Sequence, residues 1–429
     1  MASSPASVAE ALRAEPGGLA WALRDSSARS YRPSAPRWRF LAEFLASATQ
    51  DVHDHEAVFL GVGPSSSALF GVVVHSTRRG QAQGGVRRWE YPTLEAFLRD
   101  GLRLARGMTR KNALAHLWWG GGKGLIARNT SPPAETAGDR RSVYREYGHF
   151  VSALRGCYVT AEDVGTGPDD MAEIATTTRF ATCLPADRGG RGNPSTMTAA
   201  GVACAIDAAL AFRGDASAAG LRFAVQGGGN VGSALVAELL ARGAERIVVA
   251  ERSRDRCETL RSAWEGRPVD VRYAAPSDTG IMAEPCDVLA PCALGGVLDA
   301  KTIPEIRARI VCGSANNPLA DEVRDALLLA DRGVTFVPDF VANRMGIVTV
   351  CDEQFGSLAD DSEIVQHLDP DWEGGVFATT RRILEDARNR GITPQAAALE
   401  GADILAQETH PLLGHRGWRI IASLCRERG

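Results

Sequence analysis

Residues 221–251 read LRFAVQGGGNVGSALVAELLARGAERIVVAE, and this stretch decides the fold of the C-terminal half of the chain. A short apolar strand runs into Gly227-x-Gly229-x-x-Gly232, an amphipathic helix follows, and a second strand ends at Glu251. The first glycine permits a tight turn, the second lets the backbone approach a pyrophosphate, and the third lets the helix pack on the strand. The helix N-terminus offers free N–H groups and a positive dipole end to the phosphates. The pattern therefore predicts a dinucleotide-binding βαβ unit.

The neighbouring segments extend this pattern in both directions. From about residue 200 onward, the runs FAVQ, RIVVA, CDVLAP, ARIVCGS and VTFVPDF alternate with helical patterns, which is typical of a parallel sheet covered by helices. Nearer the N-terminus, EAVFLGV and ALFGVVVHS predict two neighbouring strands within residues 56–76. Thr93 predicts the N-cap of a helix. The apolar residues on one face of that helix are Leu94, Phe97, Leu98, Leu102 and Ala105.

Length, charge and cysteine usage exclude several classes of protein. A chain of 429 residues exceeds one ordinary core and indicates two domains. A net charge of -4 gives no general attraction to nucleic acid or anionic membranes. The N-terminus lacks the apolar core of a signal peptide, and no long uncharged apolar run occurs, so we expect a cytoplasmic protein. The nine cysteines show no zinc spacing, so we expect free thiols and no metal site.

Lysine is rare in this chain. Only Lys111, Lys123 and Lys301 occur, against 45 arginines, and the first two lie in MTRKNALAHLWWGGGKG, residues 108–124. The G-G-G-K sequence lacks the earlier glycine and the following Ser or Thr of a Walker loop. A desolvated ammonium can titrate near neutrality, whereas a guanidinium cannot lose its proton in a protein. Lysine at position 123 therefore indicates proton exchange at a carbonyl or imine; the alternative is a surface lysine after a flexible turn.

The same stretch resembles the core motif of the glutamate/leucine/phenylalanine/valine dehydrogenases and is closest to the leucine and phenylalanine branch. Further matches follow in the order of that family. They are HSTRRGQAQGGVRRW (75–89), YVTAEDVGTGPDDM (158–171), GNPSTMTAAGV (192–202), DVLAPCALGGVLD (287–299), GSANNP (313–318) and PDFVANRMGIV (338–348). The resemblance implies reversible oxidative deamination of an L-amino acid to its 2-oxo acid and ammonia, with hydride passing to a nicotinamide.

The resemblance also implies roles for particular residues. Lys123 would be the catalytic lysine, and Asp163 would be its acid/base partner. Lys111 would bind the substrate α-carboxylate, together with the backbone of Gly84 and Gly85. Asn316 or Asn317, in the GSANN stretch, would hold the substrate amino group or the nicotinamide amide. We assign Asn316 to the cofactor and Asn317 to the substrate.

The pocket for the substrate side chain departs from the family pattern. The positions that the resemblance assigns to it are Gln83, Ala161, Ile347 and Val350. At position 83, leucine-type relatives have an apolar residue and glutamate-type relatives have a lysine, so a glutamine matches neither. The mixture predicts an apolar or partly polar substrate. It argues against glutamate, because a buried γ-carboxylate without a cation is costly.

The cofactor is expected to be NAD. Glu251 is placed to accept hydrogen bonds from the adenosine ribose hydroxyls, which favours NAD over NADP. Arg252 and Arg254 follow at once and would suit a 2′-phosphate, so NADP is the alternative. The complete set of expected cofactor contacts is Thr198, Gly227, Gly229, Asn230, Val231, Gly232, Glu251, Arg252, Cys292, Ala293 and Asn316.

These observations predict an α/β protein with two domains around a cleft. An N-terminal α/β domain for substrate binding and oligomerisation spans residues 1–190 and is rejoined by a C-terminal helix, residues 395–429. A Rossmann-type NAD-binding domain spans 191–394. The expected function is that of an NAD-dependent L-amino-acid dehydrogenase, active as a homodimer or larger homo-oligomer, with no nucleic-acid or membrane partner. The alternatives are an imine or 2-oxo-acid reductase of secondary metabolism on the same scaffold, and a catalytically silent dinucleotide-binding sensor.

Overall fold

The chain divides into two compact units in the computed structural model. The structure describes residues 4–25, 30–48, 50–130, 136–293, 295–351, 353–356, 358 and 361–427. The first unit comprises Met1–Asn193, Val350–Leu358 and Asp403–Gly429, and the second comprises Pro194–Thr349 and Ala359–Ala402.

Helices and strands alternate along most of the chain. The helices are α1 (Pro5–Arg13), α2 (Arg39–Ser47), α3 (Leu94–Leu114), α4 (Ala137–Ala153), α5 (Pro168–Ala175), α6 (Ser195–Arg213), α7 (Asn230–Ala241), α8 (Arg254–Ala263), α9 (Arg324–Asp331), α10 (Asp339–Ala342), α11 (Met345–Val350), α12 (Ser362–Val365), α13 (Val376–Arg390), α14 (Pro394–Leu405) and α15 (Arg416–Glu427). The strands are β1 (Leu19–Asp25), β2 (Ser30–Pro33), β3 (Ala57–Val62), β4 (Leu69–Ser76), β5 (Ala82–Trp89), β6 (Gly120–Ala127), β7 (Tyr158–Glu162), β8 (Arg222–Gln226), β9 (Arg246–Glu251), β10 (Val269–Tyr273), β11 (Val288–Pro291), β12 (Ile310–Val311) and β13 (Thr335–Phe336).

The first unit is built on a seven-stranded mixed sheet of order β2-β1-β3-β4-β6-β5-β7. The pairs from β2 to β6 are antiparallel, and β5 runs parallel to both β6 and β7. The two strands predicted within residues 56–76 are β3 and β4, and they are neighbours. The predicted N-cap is also confirmed, since the Thr93 Oγ1 accepts a hydrogen bond from the Ala96 N–H at 3.1 Å.

Helix α3 packs closely on β4 and β6. Its predicted apolar face is buried in the main core of the first unit. A Cβ atom at Gly101 would lie 2.7 Å from both Leu125 Cδ1 and Val73 Cγ2, so the helix approaches the strands at a distance that only glycine allows. Leu125 and Lys123 are two residues apart on β6 and share a face of the sheet. Lys123 therefore faces the side on which α3 carries Lys111 in its last turn.

The second unit is built on a six-stranded parallel sheet of order β10-β9-β8-β11-β12-β13. Counted from β8, this is the 3-2-1-4-5-6 order of a Rossmann sheet, so the predicted fold class is confirmed. The five predicted runs are β8, β9, β11, β12 and β13. The edge strand β10 was not predicted, because it lies at the sheet edge, is only partly buried and carries polar residues.

Helix α6 is the longest apolar helix of the second unit. It is long and apolar enough to cross a membrane by length and composition alone. However, 61% of its apolar window is buried inside the fold, as in the core helix of a globular unit. A Cβ at Gly201 in this helix would lie 2.6 Å from Met345 Cγ, so the glycine permits close packing with α11.

The chain returns to the first unit near the end of α14. The second unit extends through Ala402, and the first resumes at Asp403, whereas the sequence analysis placed this return at residue 395. The Asp403 carboxylate accepts two hydrogen bonds from Arg110 of α3, both at 2.8 Å. This bidentate pair ties the end of α14 to the first unit.

Candidate active site

The three glycines before Lys123 belong to strand β6 and do not form a flexible turn. Added Cβ atoms at Gly120 and Gly121 would overlap the Ser76 carbonyl oxygen and the backbone of Thr109, and one at Gly122 would lie 2.9 Å from the Tyr158 ring. Neighbouring backbone and side chains therefore crowd the strand from both faces. The glycines are needed for close packing, and this packing fixes the position of the lysine that follows them.

Lys123 and Asp163 form a buried ion pair. The Lys123 side chain is 4% exposed, and its Nζ lies 2.9 Å from Asp163 Oδ2. Burial lowers the pKa of the Lys123 ammonium below its usual value; the Asp163 carboxylate opposes this shift, and the nearby Arg87 guanidinium adds to it. The alternative of a surface lysine is excluded. An amine with a lowered pKa, held beside a carboxylate, is suited to proton transfer.

Arg87 is a member of this site that the sequence analysis missed. Its Nε donates to Asp163 Oδ2 at 3.0 Å, and its Nη1 donates to Asp100 Oδ1 at 3.0 Å. Burial raises the pKa of the Asp163 carboxyl, but Lys123 and Arg87 outweigh burial and lower that pKa to about 2. The Tyr91 hydroxyl extends this hydrogen-bond network by donating to Asp100 Oδ2 at 2.8 Å. Asp163 is thus held ionised by two cations on one oxygen atom.

The carboxyl group next to Asp163 behaves differently. Burial raises the pKa of Glu162 to about 7, and the charges of Asp170 and Asp163 add to this rise. The pKa values of two consecutive carboxyls at the end of β7 are therefore pushed apart, which is a recurring property of sites that handle protons. Glu162 and Asp163 point to opposite sides of the strand end, so only the latter contacts Lys123.

Strand β5 places Gly84 and Gly85 beside this pair. A Cβ at Gly85 would lie 2.7 Å from Asp163 Cβ and would overlap the Glu162 carbonyl oxygen. Only glycine at position 85 leaves room for the carboxylate next to Lys123. The Gly84 carbonyl oxygen accepts a hydrogen bond from the Tyr158 hydroxyl at 2.5 Å, which anchors this part of β5.

Other predicted substrate contacts in the first unit line the same region. Gln83 is fully buried and pairs with Gly121 on β6 and Val159 on β7. Ala161, two residues beyond Val159, is 4% exposed. Val350 is also buried and belongs to the first unit.

The remaining predicted substrate contacts belong to the second unit. Ile347 is buried on α11. Asn317 adopts a left-handed φ of 49°, and its N–H donates to Asp339 Oδ2 at 3.0 Å. Neighbouring Asn316, a predicted cofactor contact, accepts a hydrogen bond from the Asn343 amide through its Oδ1 at 3.0 Å.

The glycine-rich turn between β8 and α7 has the geometry of a phosphate cradle. Gly227 has a φ of 98°, and a Cβ there would lie 2.9 Å from the Cβ of Ala293. A Cβ at Gly232 would overlap the Gly227 carbonyl oxygen, so this glycine lets α7 start directly above the strand end. A Cβ at Gly229 would meet nothing within 4 Å, which leaves open space at the helix N-terminus. The turn therefore fits a pyrophosphate.

Glu251 closes this turn from the end of β9. Its Oε2 accepts a hydrogen bond from the Gly228 N–H at 2.9 Å, and its Oε1 accepts one from the Ser253 N–H at 2.8 Å. Each oxygen retains a lone pair for a ribose hydroxyl. Of the two arginines that follow, Arg252 is exposed, whereas Arg254 stacks on the Tyr273 ring at 4.0 Å.

The other predicted cofactor contacts differ in exposure. Asn230 is exposed and Val231 is half-buried at the start of α7. The Cys292 N–H donates to the Gln226 carbonyl oxygen at 2.7 Å, next to the glycine turn. Thr198 is buried, and its hydroxyl donates to the Pro194 carbonyl oxygen at 2.9 Å.

Comparison with known protein families agrees with this geometry. The chain matches the model of the "Glu/Leu/Phe/Val dehydrogenase, dimerisation domain" over residues 70–180 and that of the "Glutamate/Leucine/Phenylalanine/Valine dehydrogenase" over residues 189–410. The second match alone covers more than half of the chain. This chain belongs to the Glu/Leu/Phe/Val dehydrogenase family. The resemblance noted in the sequence is therefore confirmed.

Individual relatives are similar along most of their length. The leucine dehydrogenase of Bacillus subtilis (strain 168) is 35% identical over 357 residues, which cover 83% of this chain and 91% of the relative. The valine dehydrogenase of Streptomyces albus is 37% identical over 354 residues, covering 81% and 91% of the two chains. The solved structure of L-tryptophan dehydrogenase from Nostoc punctiforme is 31% identical, with a TM-score of 0.67 over 84% of this chain and 98% of that one.

These relatives establish the class of reaction. The chain is an amino acid dehydrogenase that acts on the CH–NH2 group of its donor and uses a nicotinamide dinucleotide. The two alternatives considered from the sequence, a reductase of secondary metabolism and a silent sensor, find no support in these comparisons.

Proposed function

We propose that this enzyme catalyses the NAD-dependent, reversible oxidative deamination of an L-amino acid whose side chain is apolar or partly polar. The observation on which the proposal depends is the buried Lys123–Asp163 pair, with Nζ and Oδ2 2.9 Å apart. The leucine and valine dehydrogenases among the relatives support a hydrocarbon stem in the substrate side chain.

Lys123 is the proton-transfer group in this mechanism. A bound nicotinamide would supply the acceptor for the Cα hydride, and loss of that hydride from the substrate with its amine in the neutral form leaves an iminium carbon. Neutral Lys123 then takes a proton from water as the water oxygen bonds to that carbon. The Lys123 ammonium then gives this proton to the amino nitrogen. As the C–N bond breaks, the hydroxyl proton passes to the Lys123 amine, which is neutral again at that point, and the products are the 2-oxo acid and ammonia. The lowered pKa of Lys123 makes its neutral form easier to reach than that of an ordinary lysine, which favours this transfer in both directions.

Asp163 acts mainly as an ionised partner. With a pKa of about 2 in the presence of two cations, it is a poor acceptor for a proton from the substrate ammonium. It can orient the lysine and accept a hydrogen bond from the substrate amino group. Proton uptake by Asp163 becomes favourable only after Lys123 has lost its charge, because the strongest opposing charge is then gone.

Substrate orientation is the role that we propose for Lys111, Gly84 and Gly85. Lys111 projects from the last turn of α3, on the same side of the sheet as Lys123, and supplies a cation for the α-carboxylate. The glycines add backbone groups and keep side chains out of the space beside Asp163. On the second unit, Asn317 and Ile347 are the proposed substrate contacts.

We propose NAD as the cofactor in preference to NADP. The Glu251 carboxylate accepts a hydrogen bond from the Gly228 N–H of the glycine-rich turn, and we propose that it contacts the adenosine ribose, where its charge disfavours a 2′-phosphate. Arg254 contacts the Tyr273 ring, and Arg252 is exposed to solvent.

Lysine substitution tests the proposed function. The change Lys123→Met should lower kcat for NADH formation by at least about 10³-fold, measured at 340 nm with a panel of L-amino acids. Lys301→Met is the matched control, because Lys301 is an exposed lysine of the second unit, and it should leave kcat unchanged. A fully active Lys123→Met enzyme would contradict the proposal.

We also propose that the enzyme is a cytoplasmic homo-oligomer, a dimer or larger. The family model that matches residues 70–180 is described as a dimerisation domain, which supports assembly through the first unit. Light scattering coupled to size-exclusion chromatography should give at least twice the monomer mass of 45.7 kDa. A mass equal to that of the monomer at micromolar concentration would contradict this part.

A further inference from the structure

Gln83 is a buried polar side chain whose hydrogen bonds are not made. It is 0% exposed, and neither its Oε1 nor its Nε2 has a hydrogen-bond partner among the described residues. Native proteins rarely leave such a group unpaired, because burial removes the hydrogen bonds that water would have made. Two residues earlier, Gln81 shows the usual situation, since its Nε2 donates to the Gly156 carbonyl oxygen at 2.6 Å.

The position of Gln83 relates it to the proposed catalytic lysine. Gln83 pairs with Gly121, which lies two residues before Lys123 on the neighbouring strand. Gly121 and Lys123 share a face of the sheet, so the side chains of Gln83 and Lys123 point to the same side. From the strand spacing and the rise of two residues, their Cα atoms are about 8 Å apart. A substrate held at Lys123 can therefore extend its side chain toward Gln83.

The surroundings of Gln83 are apolar. Its register partner Val159 packs in a cluster with Trp119 and Cys351, and Ala161 follows on the same face of β7. The amide of Gln83 is thus a neutral polar group, with one donor side and one acceptor side, next to an apolar cluster. A ligand that fits next to this cluster needs a hydrocarbon stem with a hydrogen-bonding end.

We propose that Gln83 binds a neutral hydrogen-bonding group at the end of the substrate side chain, and that a carboxamide is its best match. This inference rests on the proposed function. A carboxamide can donate to the Gln83 Oε1 and accept from its Nε2 at the same time. A carboxylate is disfavoured, because a neutral amide cannot compensate a buried charge. Asparagine and glutamine, whose side chains end in a carboxamide, are therefore the amino acids that this proposal favours.

Pairs of amino acids with equal shape and different polarity test this proposal. L-Asparagine and L-leucine form one pair, and L-glutamine and L-5-methylnorleucine form the other. In NAD-dependent oxidation, the wild-type enzyme should prefer the carboxamide in at least one pair by tenfold or more in kcat/KM. The change Gln83→Met should shift that ratio toward the apolar member by tenfold or more, whereas Gln81→Met should leave it unchanged.

The outcomes separate this inference from the proposed function. A wild-type enzyme that prefers the apolar member of both pairs overturns the role of Gln83 and leaves the dehydrogenase intact. An unchanged ratio in Gln83→Met also overturns it, and the wild-type ratio alone decides the matter if that variant does not fold. Failure to form NADH with any L-amino acid contradicts the dehydrogenase function itself.

Discussion

Removal of the Arg87 charge should shift the pH dependence of catalysis. The Arg87 Nε and the Lys123 Nζ both lie about 3 Å from the same oxygen, Asp163 Oδ2, so the two nitrogens are at most about 6 Å apart. With an effective dielectric constant of about 20, two like charges at that distance repel each other by roughly 3 kcal/mol, which corresponds to about 2 pKa units. Because the guanidinium charge is delocalised away from Nε, we expect a shift of about 1 unit.

The direction follows from the protonation state that the mechanism requires. Arg87 lowers the pKa of Lys123, and Asp100, which pairs with Arg87, raises it. In Arg87→Gln the cation is lost and the Asp100 carboxylate remains, so the pKa of Lys123 rises. Since neutral Lys123 is the active form, the acidic limb of kcat/KM moves to higher pH by about 1 unit, and activity recovers toward the wild-type plateau at alkaline pH.

The assay is the pH profile of kcat/KM for amino acid oxidation, recorded at 340 nm. Arg145→Gln is the matched control, because Arg145 forms a solvent-exposed pair with Glu173 at 2.8 Å on the same unit. Its acidic limb should coincide with that of the wild type. An Arg87→Gln profile that keeps the wild-type limb, or that loses activity equally at every pH, would refute the electrostatic role of Arg87.

Three further predictions concern the site and its surroundings. Gly85→Ala should lower kcat by about 10²-fold, because the added Cβ displaces Asp163. The control is Gly107→Ala, whose Cβ meets nothing within 4 Å; it should keep kcat and stabilise α3 by about 0.5–1 kcal/mol. Equal kcat values in the two variants would contradict this prediction. Without ligand, Gln83→Met should increase the free energy of unfolding by about 1 kcal/mol and so raise the melting temperature. Gln81→Met should decrease the free energy of unfolding by a similar amount, since only Gln81 loses a hydrogen bond. If calorimetry gave the reverse order of melting temperatures, Gln83 would not be unpaired. Glu251→Gln should lower the NAD-to-NADP ratio of kcat/KM by about tenfold, because the charge that disfavours the 2′-phosphate is lost; an unchanged ratio would place cofactor selection elsewhere.

Local patterns in the sequence were enough for most of the sheet of the second unit. The glycine-rich turn, β8, β9 and the helix between them depend on residues close in sequence, and the structure confirms them. The N-cap at Thr93 is local for the same reason. Strand β10 lacks such a signal, because an exposed edge strand does not need a continuous apolar run.

The site was only partly accessible from the sequence. The rarity of lysine marked Lys123, because only an amine can lose its charge near neutral pH. Arg87 gave no comparable signal among 45 arginines, since its role arises when β5 and β7 bring it against Asp163. The glycines at 120–122 were compatible with a turn, and only the crowding by neighbouring atoms explains why they form a strand. Long-range contacts of this kind cannot be read from spacing alone.

The titration of Lys123 tests the central claim most directly. Because the chain contains only three lysines, selective labelling of the lysine side chains gives three resonances in an NMR titration, and Lys123→Met assigns one of them by its disappearance. We predict that this resonance titrates clearly below the ordinary lysine value of 10.5, as a buried ammonium must. If all three lysines, including Lys123, titrated at or above that value, the amine could not exchange protons as proposed, and the account of catalysis would be contradicted.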